Sequence, residues 1–283
     1  MVKKTAAVTP PATVECLLAA AGGELVLVGG QALALWVNWY QLALLPDVAS
    51  ITNDVDFLTP SAADKHAVER FAQVLHGRAL FPRLRELTAL VGQAYVDVSD
   101  DEYINVDVIF SVVGIEGDSV RSRAVTVDPG SDRQPFKVMH PLDVLRSRLA
   151  NLYGLPEKQD RKGQTQLALA IDVAREFLRE AMASHHGDRT AKRAVASGRS
   201  PIQAYVSAIE RMVIEDAGRK VTKRYGLHVA DAIDPLLIPA GPFWDKRWPG
   251  LMALMSPTYA ARFEAAAAER QSRHGAATRR RPR

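Results

Sequence analysis

The sequence contains a single cysteine, Cys16, and this scarcity excludes two kinds of stabilising site. A disulfide framework needs paired cysteines and a cysteine-based zinc site needs several, so neither is expected, and a reducing cytoplasm fits. The longest apolar stretch, QALALWVNWYQLALL, is shorter than a membrane span and contains two Gln and an Asn. The N-terminal stretch carries Glu15 and two prolines where a signal peptide needs an apolar centre. We expect a cytoplasmic protein without membrane partners.

Two common catalytic signatures are missing as well. The chain has no G-x-S-x-G nucleophile elbow and no G-x-x-x-x-G-K-S/T phosphate loop. These absences exclude serine hydrolases of the elbow type and nucleotide hydrolases of the P-loop type.

Basic residues concentrate in the second half of the chain. Residues 1–135 contain 10 Lys and Arg against 17 Asp and Glu, whereas residues 136–283 contain 26 against 15. This division suggests that the first part holds a metal ion and that the second contacts an anionic partner such as nucleic acid. Basic helix faces that are simply solvated are the alternative explanation.

The apolar pattern divides the chain near residue 136. Before that point, runs with a period of two alternate with amphipathic helices, and after it helical periodicity dominates. We therefore predict an α/β domain with a mixed sheet over residues 1–135, an all-helical domain over 136–272 and a basic, disordered tail over 273–283. Within these domains we expect Ser61 to cap a helix and residues 200–226 to form one helix.

Two carboxylates stand one residue apart in an apolar neighbourhood. In the stretch TNDVDFLTP, Asp54 and Asp56 are at positions i and i+2 of a predicted strand, so they share one face while Val55 and Phe57 share the other. Such close carboxylates repel each other unless a cation lies between them. Mg²⁺ prefers carboxylate oxygens and leaves positions open for phosphate. The pair therefore indicates phosphoryl or nucleotidyl transfer.

A third carboxylate and two glycines extend this pattern. Asp107 lies in the middle of the apolar strand YINVDVIF, where a carboxylate is costly unless something pairs with it. We expect it to face the pair as metal ligand and general base, and Asp97 is a weaker candidate. Gly29 and Gly30 stand where a strand gives way to a helix, so bare backbone there can approach phosphate.

Taken together, the stretches LVGG, TNDVDFL and INVDVIF resemble the minimal nucleotidyltransferase pattern of the DNA polymerase β superfamily. In that pattern an apolar strand ending in two small residues is followed by a helix, an Asp-apolar-Asp strand and a later Asp. The nearest branch looks like the AbiEii-type toxins, whose chains also continue into a helical domain. The resemblance covers residues 24–180.

The resemblance implies a nucleotidyltransferase that uses an NTP with Mg²⁺ or Mn²⁺. Its catalytic and metal-binding residues would be Asp54, Asp56 and Asp107. Its nucleotide-binding residues would be Gly29, Gly30, Thr52, Arg148 and Lys158. One departure concerns Gln166, which stands where the branch has a further Asp. A tRNA end and a cognate antitoxin are the partners that the resemblance implies.

Other readings of the same residues stay open. The acceptor hydroxyl can belong to RNA, to a small molecule, as in antibiotic-modifying nucleotidyltransferases, or to a protein side chain. A degenerate copy that binds a nucleotide or a partner without chemistry is the alternative to an enzyme. It is favoured if Asp107 faces away from Asp54 and Asp56.

Overall fold

The chain divides into two compact units, Met1–Val173 and Ala174–Arg283. A computed structural model describes residues 4–43, 51–83, 88–130, 133–186, 201–234, 242–262 and 264–265. The predicted tail at 273–283 lies outside these residues.

A mixed β-sheet is the centre of the first unit. Within the described residues it has eight strands, in the order β4-β5-β6-β3-β2-β8-β7, with β1 paired to the start of β6. The strands β3 and β6 are parallel, as are β2 and β8, whereas β2 and β3 are antiparallel. The strands are β1 (Thr5–Ala6), β2 (Val26–Val28), β3 (Val55–Leu58), β4 (Arg78–Leu80), β5 (Leu90–Asp97), β6 (Glu102–Ile109), β7 (Val125–Val127) and β8 (Phe136–Val138).

Helices pack against the sheet and contribute to the core of this unit. Phe57 of β3 stacks on Phe71 with ring centroids 4.6 Å apart, and Trp36 donates to the Met139 carbonyl at 2.8 Å. Both contacts join segments far apart in sequence, so they fix the helices against the strands. The helices are α1 (Pro11–Ala21), α2 (Gly29–Trp39), α3 (Lys65–Val74), α4 (Gly117–Arg123), α5 (Pro141–Gly154) and α6 (Arg161–His186), which continues into the second unit.

The second unit is helical in its described residues. It contains α7 (Pro201–Ile214), α8 (Asp216–Tyr225), a 3-10 turn at Val229–Ala232 and α9 (Pro242–Met252). Arg247 joins α9 to α7 through Ser207 at 3.0 Å and Glu210 at 2.8 Å. None of the helices in the described ranges of either unit is long and apolar enough to cross a membrane.

The prediction of an α/β fold with a mixed sheet is confirmed. The sequence does not predict β1 or β4, because two or three residues are too few to display a period of two. The compact units divide at Val173, inside α6, while the sequence places the change to helical structure near residue 136. That domain boundary stays a prediction.

Two local predictions are wrong. The helix expected to follow Ser61 begins at Lys65, because the Asp64 carboxylate accepts from the Ala67 N–H and acts as the cap. The single helix expected over 200–226 is two helices, α7 and α8. Glu215 is extended there, with φ −62° and ψ 158°, and so interrupts the helical path.

Candidate active site

Two carboxylates from neighbouring strands lie side by side on one face of the sheet. Asp56 of β3 and Asp107 of β6 are partners in a parallel register. Residues paired in this way project from the same face. The flanking residues of both strands are buried in the core on the other face: Val55, Phe57, Val106 and Val108. Asp107 therefore faces the same way as Asp56, and the arrangement expected of a degenerate copy is not found.

Asp56 is the most perturbed acid of the group. Burial raises its pKa to about 7, and the neighbouring charge of Asp107 adds to this rise. The charge of Arg148 lowers the pKa of Asp56, and the charge of Asp54, which immediately precedes β3, raises it further. The charges of Asp54 and Asp107 thus both act on Asp56, and a nearby positive charge would favour its ionised form.

Asp107 is held by two amides. Gln93 Nε2 donates to its Oδ1 at 2.9 Å, and Asn105 Nδ2 donates to the same atom at 2.7 Å. Burial raises the pKa of Asp107, and these two hydrogen bonds act in the opposite direction. Gln93 is the residue opposite Asp107 on β5, and Asn105 is two residues earlier on β6. Oδ2 is the oxygen that neither amide holds.

Two glycines bring the start of α2 against this cluster. Gly29 has a φ of 68°, a conformation that favours glycine, and a Cβ at this position would overlap the Asp56 carboxylate. A Cβ on Gly30 would overlap the side chain of Thr52, whose hydroxyl donates to the Asp54 carbonyl at 3.2 Å. The backbone of a helix N-terminus, which favours anions, therefore lies beside Asp56.

Arg148 is a buried cation in the same group. Its side chain belongs to α5, is 8% exposed, and interacts with the charge of Asp56. Its Nη1 donates to Gln166 Oε1 at 3.2 Å. Within the described part of the chain, its Nε is buried without a hydrogen-bond partner. A buried donor left in this state is costly, and an anionic ligand would satisfy it.

Lys158 supplies a second positive charge. It ends the 3-10 turn Pro156–Lys158, is exposed, and lowers the pKa of Asp56 and Asp107 against the larger effect of their burial. The first unit thus brings together the residues that the resemblance nominates for the site: Gly29, Gly30, Thr52, Asp54, Asp56, Asp107, Arg148 and Lys158. The weaker candidate Asp97 is not among them, because it is exposed and pairs with Lys4 and Arg78. Their functional roles stay predictions.

The donor set fits a divalent cation. Across the described ranges, no three His, Cys, Asp or Glu side chains already form a metal-binding cluster. Asp56 and Asp107 nevertheless lie in register, Asp54 acts on both, and burial together with these like charges raises the pKa of Asp56. Carboxylate oxygens are the ligands that Mg²⁺ prefers. Asp54, Asp56 and Asp107 are therefore the residues that would hold such a cation, and its positive charge would offset the repulsion between them.

Sequence reasoning misses Gln93, and it identifies Gln166 only as a departure from an expected Asp, without its contacts. Gln93 is the only strongly polar residue between Leu90 and Ala94 of β5, and its polarity on an alternating strand was the available signal. Gln166 occupies a buried position on the apolar face of α6 and contacts Arg148. Neither contact follows a local sequence rule, because each joins residues from separate elements.

A scan against protein-family models gives no match for this chain. A search of curated proteins gives no match either.

Proposed function

We propose that this protein is a metal-dependent nucleotidyltransferase of the cytoplasm. It would move a nucleoside monophosphate from an NTP to an acceptor hydroxyl and release pyrophosphate. The observation that carries the proposal is the parallel register of Asp56 and Asp107, which sets two carboxylates side by side next to the backbone of Gly29. Carboxylates crowded in this way are costly alone and are expected where a cation and a triphosphate complete the site.

The three acids have distinct proposed roles. Asp54 and Asp56 would hold Mg²⁺ or Mn²⁺, and Asp107 would complete the ligand set. The bound cation would supply electrostatic stabilisation of the phosphate oxygens. Asp107, with Oδ1 already held by Gln93 and Asn105, orients the acceptor hydroxyl and takes its proton.

The reaction balances with these groups. The acceptor oxygen forms a bond to the α-phosphorus as its proton passes to Asp107. The bond between that phosphorus and the oxygen that bridges to the β-phosphorus breaks, and pyrophosphate leaves with the electron pair. Charge therefore builds on the departing phosphates, where basic side chains stabilise it.

The cations and glycines fit the triphosphate. Arg148 offers a buried N–H that has no partner within the described residues, and Lys158 offers an exposed ammonium. Gly29 and Gly30 allow phosphate oxygens to approach the first turn of α2, while Thr52 fixes the segment opposite Gly30. These contacts would bind the NTP in one orientation.

RNA is the acceptor that we propose to test first. Residues 136–283 carry 26 Lys and Arg against 15 Asp and Glu, which favours a polyanion over a neutral small molecule. A tRNA end and an antitoxin partner follow only from the toxin-like resemblance of the sequence.

The decisive experiment is transfer of label from each of four α-³²P NTPs into total RNA in the presence of Mg²⁺. Wild-type protein is compared with Asp56→Asn and Asp107→Asn. We expect each substitution to reduce transfer by roughly a thousandfold, because each removes a charge that acts at the reacting phosphate. EDTA should abolish transfer by the wild type.

Asp97→Asn is the matched control, since Asp97 is an exposed carboxylate on β5, paired with Lys4 and Arg78 rather than with the acid cluster. It should retain wild-type transfer. Pyrophosphate release without labelled RNA would redirect the search to small-molecule acceptors. Absence of both labelled product and pyrophosphate with every NTP and acceptor would overturn the proposal.

A further inference from the structure

Gln166 is a buried amide that contacts both Arg148 and the segment that leads to Asp54. It lies on α6 in the first compact unit and is 9% exposed. Buried side-chain amides are costly unless their donors and acceptors are used. The two ends of this amide are used differently.

One end of the amide holds Arg148. Gln166 Oε1 accepts from Arg148 Nη1 at 3.2 Å, and both side chains are buried. This contact occupies one edge of the guanidinium. Since Arg148 also interacts with Asp56, the contact helps to set which donors of the guanidinium face the acid cluster.

The other end holds the segment before Asp54. Gln166 Nε2 donates to the Ile51 carbonyl at 2.8 Å. The next residue, Thr52, lies against Gly30 and donates to the Asp54 carbonyl. The amide therefore connects α6 to the stretch that carries the first acid.

The same segment is fixed from a second direction. Asn53 Nδ2 donates to the Ala6 carbonyl at 2.8 Å, and the Asn53 carbonyl accepts from the Thr9 hydroxyl at 2.9 Å. The stretch from Ile51 to Asp54 is thus held between the N-terminal residues on one side and Gln166 on the other. Such support is what keeps a site within the narrow geometry that catalysis requires.

We propose that Gln166 is a positioning residue that fixes Arg148 and the Ile51–Asp54 segment relative to each other. A bound triphosphate would then be held in a fixed position relative to the acid cluster. The inference rests on the proposed nucleotidyltransferase function. A glutamine suits both contacts because its amide accepts at one end and donates at the other. A glutamate would keep the Arg148 contact and lose the donor to Ile51, and a leucine would lose both.

The test is a double-mutant cycle on NTP binding. Affinity for the preferred NTP with Mg²⁺ is measured by calorimetry for wild type, Gln166→Leu, Arg148→Met and the double variant. We expect Gln166→Leu to weaken binding about tenfold, the value typical of losing a hydrogen bond to a charged group. In the Arg148→Met background the same change should have an effect of less than about twofold, because Gln166 acts through Arg148.

Two further variants separate positioning from general packing. Gln166→Glu should keep NTP affinity within about threefold while lowering kcat, since Arg148 stays held but the Ile51 contact is lost. Gln164→Leu makes the same chemical change two residues earlier on α6 and should leave both quantities unchanged. Equal, additive losses in binding from Gln166→Leu with and without Arg148 would overturn the proposal.

A spectroscopic readout keeps the test independent of activity. In ¹⁵N–¹H spectra of wild-type protein, restricted rotation of the Arg148 guanidinium should give separate, slowly exchanging Nη signals. Gln166→Leu should merge them, and Gln166→Glu should not. If no NTP binds to wild type, the proposed function fails, and this spectrum alone decides whether Gln166 holds Arg148. Unchanged Arg148 signals in Gln166→Leu would overturn the positioning role.

Discussion

Gly29 shows how much of the site depends on the absence of one carbon atom. Glycine adopts its φ of 68° at little cost. A Cβ on this residue would overlap the Asp56 carboxylate. Backbone conformation and carboxylate position are therefore linked at this residue. Neither could change without moving the other.

Gly29→Ala is expected to damage the site more than the fold. The left-handed backbone would cost about 1–2 kcal/mol of unfolding free energy, and the added methyl would displace Asp56. Because a misplacement of about 1 Å can cost roughly a hundredfold in rate, we expect nucleotidyl transfer to fall by at least that factor. Urea denaturation and the label-transfer assay measure the two effects separately.

Gly226→Ala is the control for the backbone cost. Gly226 has a φ of 67°, and a Cβ there would meet no atom within 4 Å. It should lose comparable stability and retain transfer activity. Equal activity losses in the two variants would show that the contact between Gly29 and Asp56 does not matter.

At the scale of elements, the N-terminus of α5 combines a cap with a pH-dependent group. His140 Nδ1 accepts from the Leu142 N–H at 3.1 Å, and Pro141 occupies the first helical position. Burial lowers the pKa of His140 to about 4, and the charge of Arg123 acts in the same direction. The cap is therefore a neutral imidazole in the folded protein.

Because His140 stays neutral in the folded protein, the protein should lose stability in acid. Between pH 6.5 and 4 the unfolded chain binds a proton at His140 that the folded chain does not, so unfolding free energy falls as pH falls. His140→Asn keeps a capping acceptor and removes the titration. We expect it to match wild type at pH 8 and to be more stable by about 2 kcal/mol at pH 5, at about 1.4 kcal/mol per pKa unit.

Urea denaturation at the two pH values checks this expectation. His140→Ala should lose about 1 kcal/mol at pH 8, because it removes the cap altogether. A difference between His140→Asn and wild type that did not depend on pH would contradict a neutral, buried His140.

At the scale of the whole molecule, the acid cluster lowers stability as pH rises, whereas His140 lowers it as pH falls. The pKa of Asp56 is about 7 in the folded protein and near 3.8 in the unfolded chain. Between these values the unfolded chain releases a proton that the folded chain retains, so unfolding free energy falls as pH rises. Above pH 7 the loss is complete.

Asp56→Asn should therefore stabilise the protein above neutral pH. We expect a gain of up to about 4 kcal/mol at pH 8 and none at pH 4, from about 1.4 kcal/mol per pKa unit. Mg²⁺ should reduce this gain, because it stabilises ionised Asp56 in wild type and has less to bind in the variant. Urea denaturation with Mg²⁺ and with EDTA measures both effects.

Asp97→Asn should change stability in the direction opposite to Asp56→Asn. Hydrogen bonds from Lys4 and Tyr95 lower the pKa of Asp97, so its ionised form stabilises the fold and its removal should cost stability above pH 4. A loss of stability in Asp56→Asn at pH 8, as expected of Asp97→Asn, would contradict this prediction. It would show that positive charges within the protein already offset the negative charge of the acid cluster.

Much of the fold follows from local patterns. The period-two runs predict β3, β5 and β6, and the proline at the start and the glycine at the end predict α5 from Pro141 to Gly154. The local errors have local causes: Asp64 competes with Ser61 as a cap, and Glu215 interrupts an otherwise helical run. Short strands such as β4 exist only because a longer neighbour pairs with them.

Local sequence is enough to identify the unusual residues: two carboxylates at i and i+2, a carboxylate inside an apolar strand, and two glycines at a strand end. These signals are local, because an acid in an apolar strand is costly wherever the strand lies. Three contacts become visible only in the folded chain: Asp107 pairs with Asp56, Gln93 holds Asp107, and Gln166 joins Arg148 to the segment before Asp54. Strand register and helix packing set those contacts, and both depend on the summed burial of many distant side chains rather than on any short stretch of sequence.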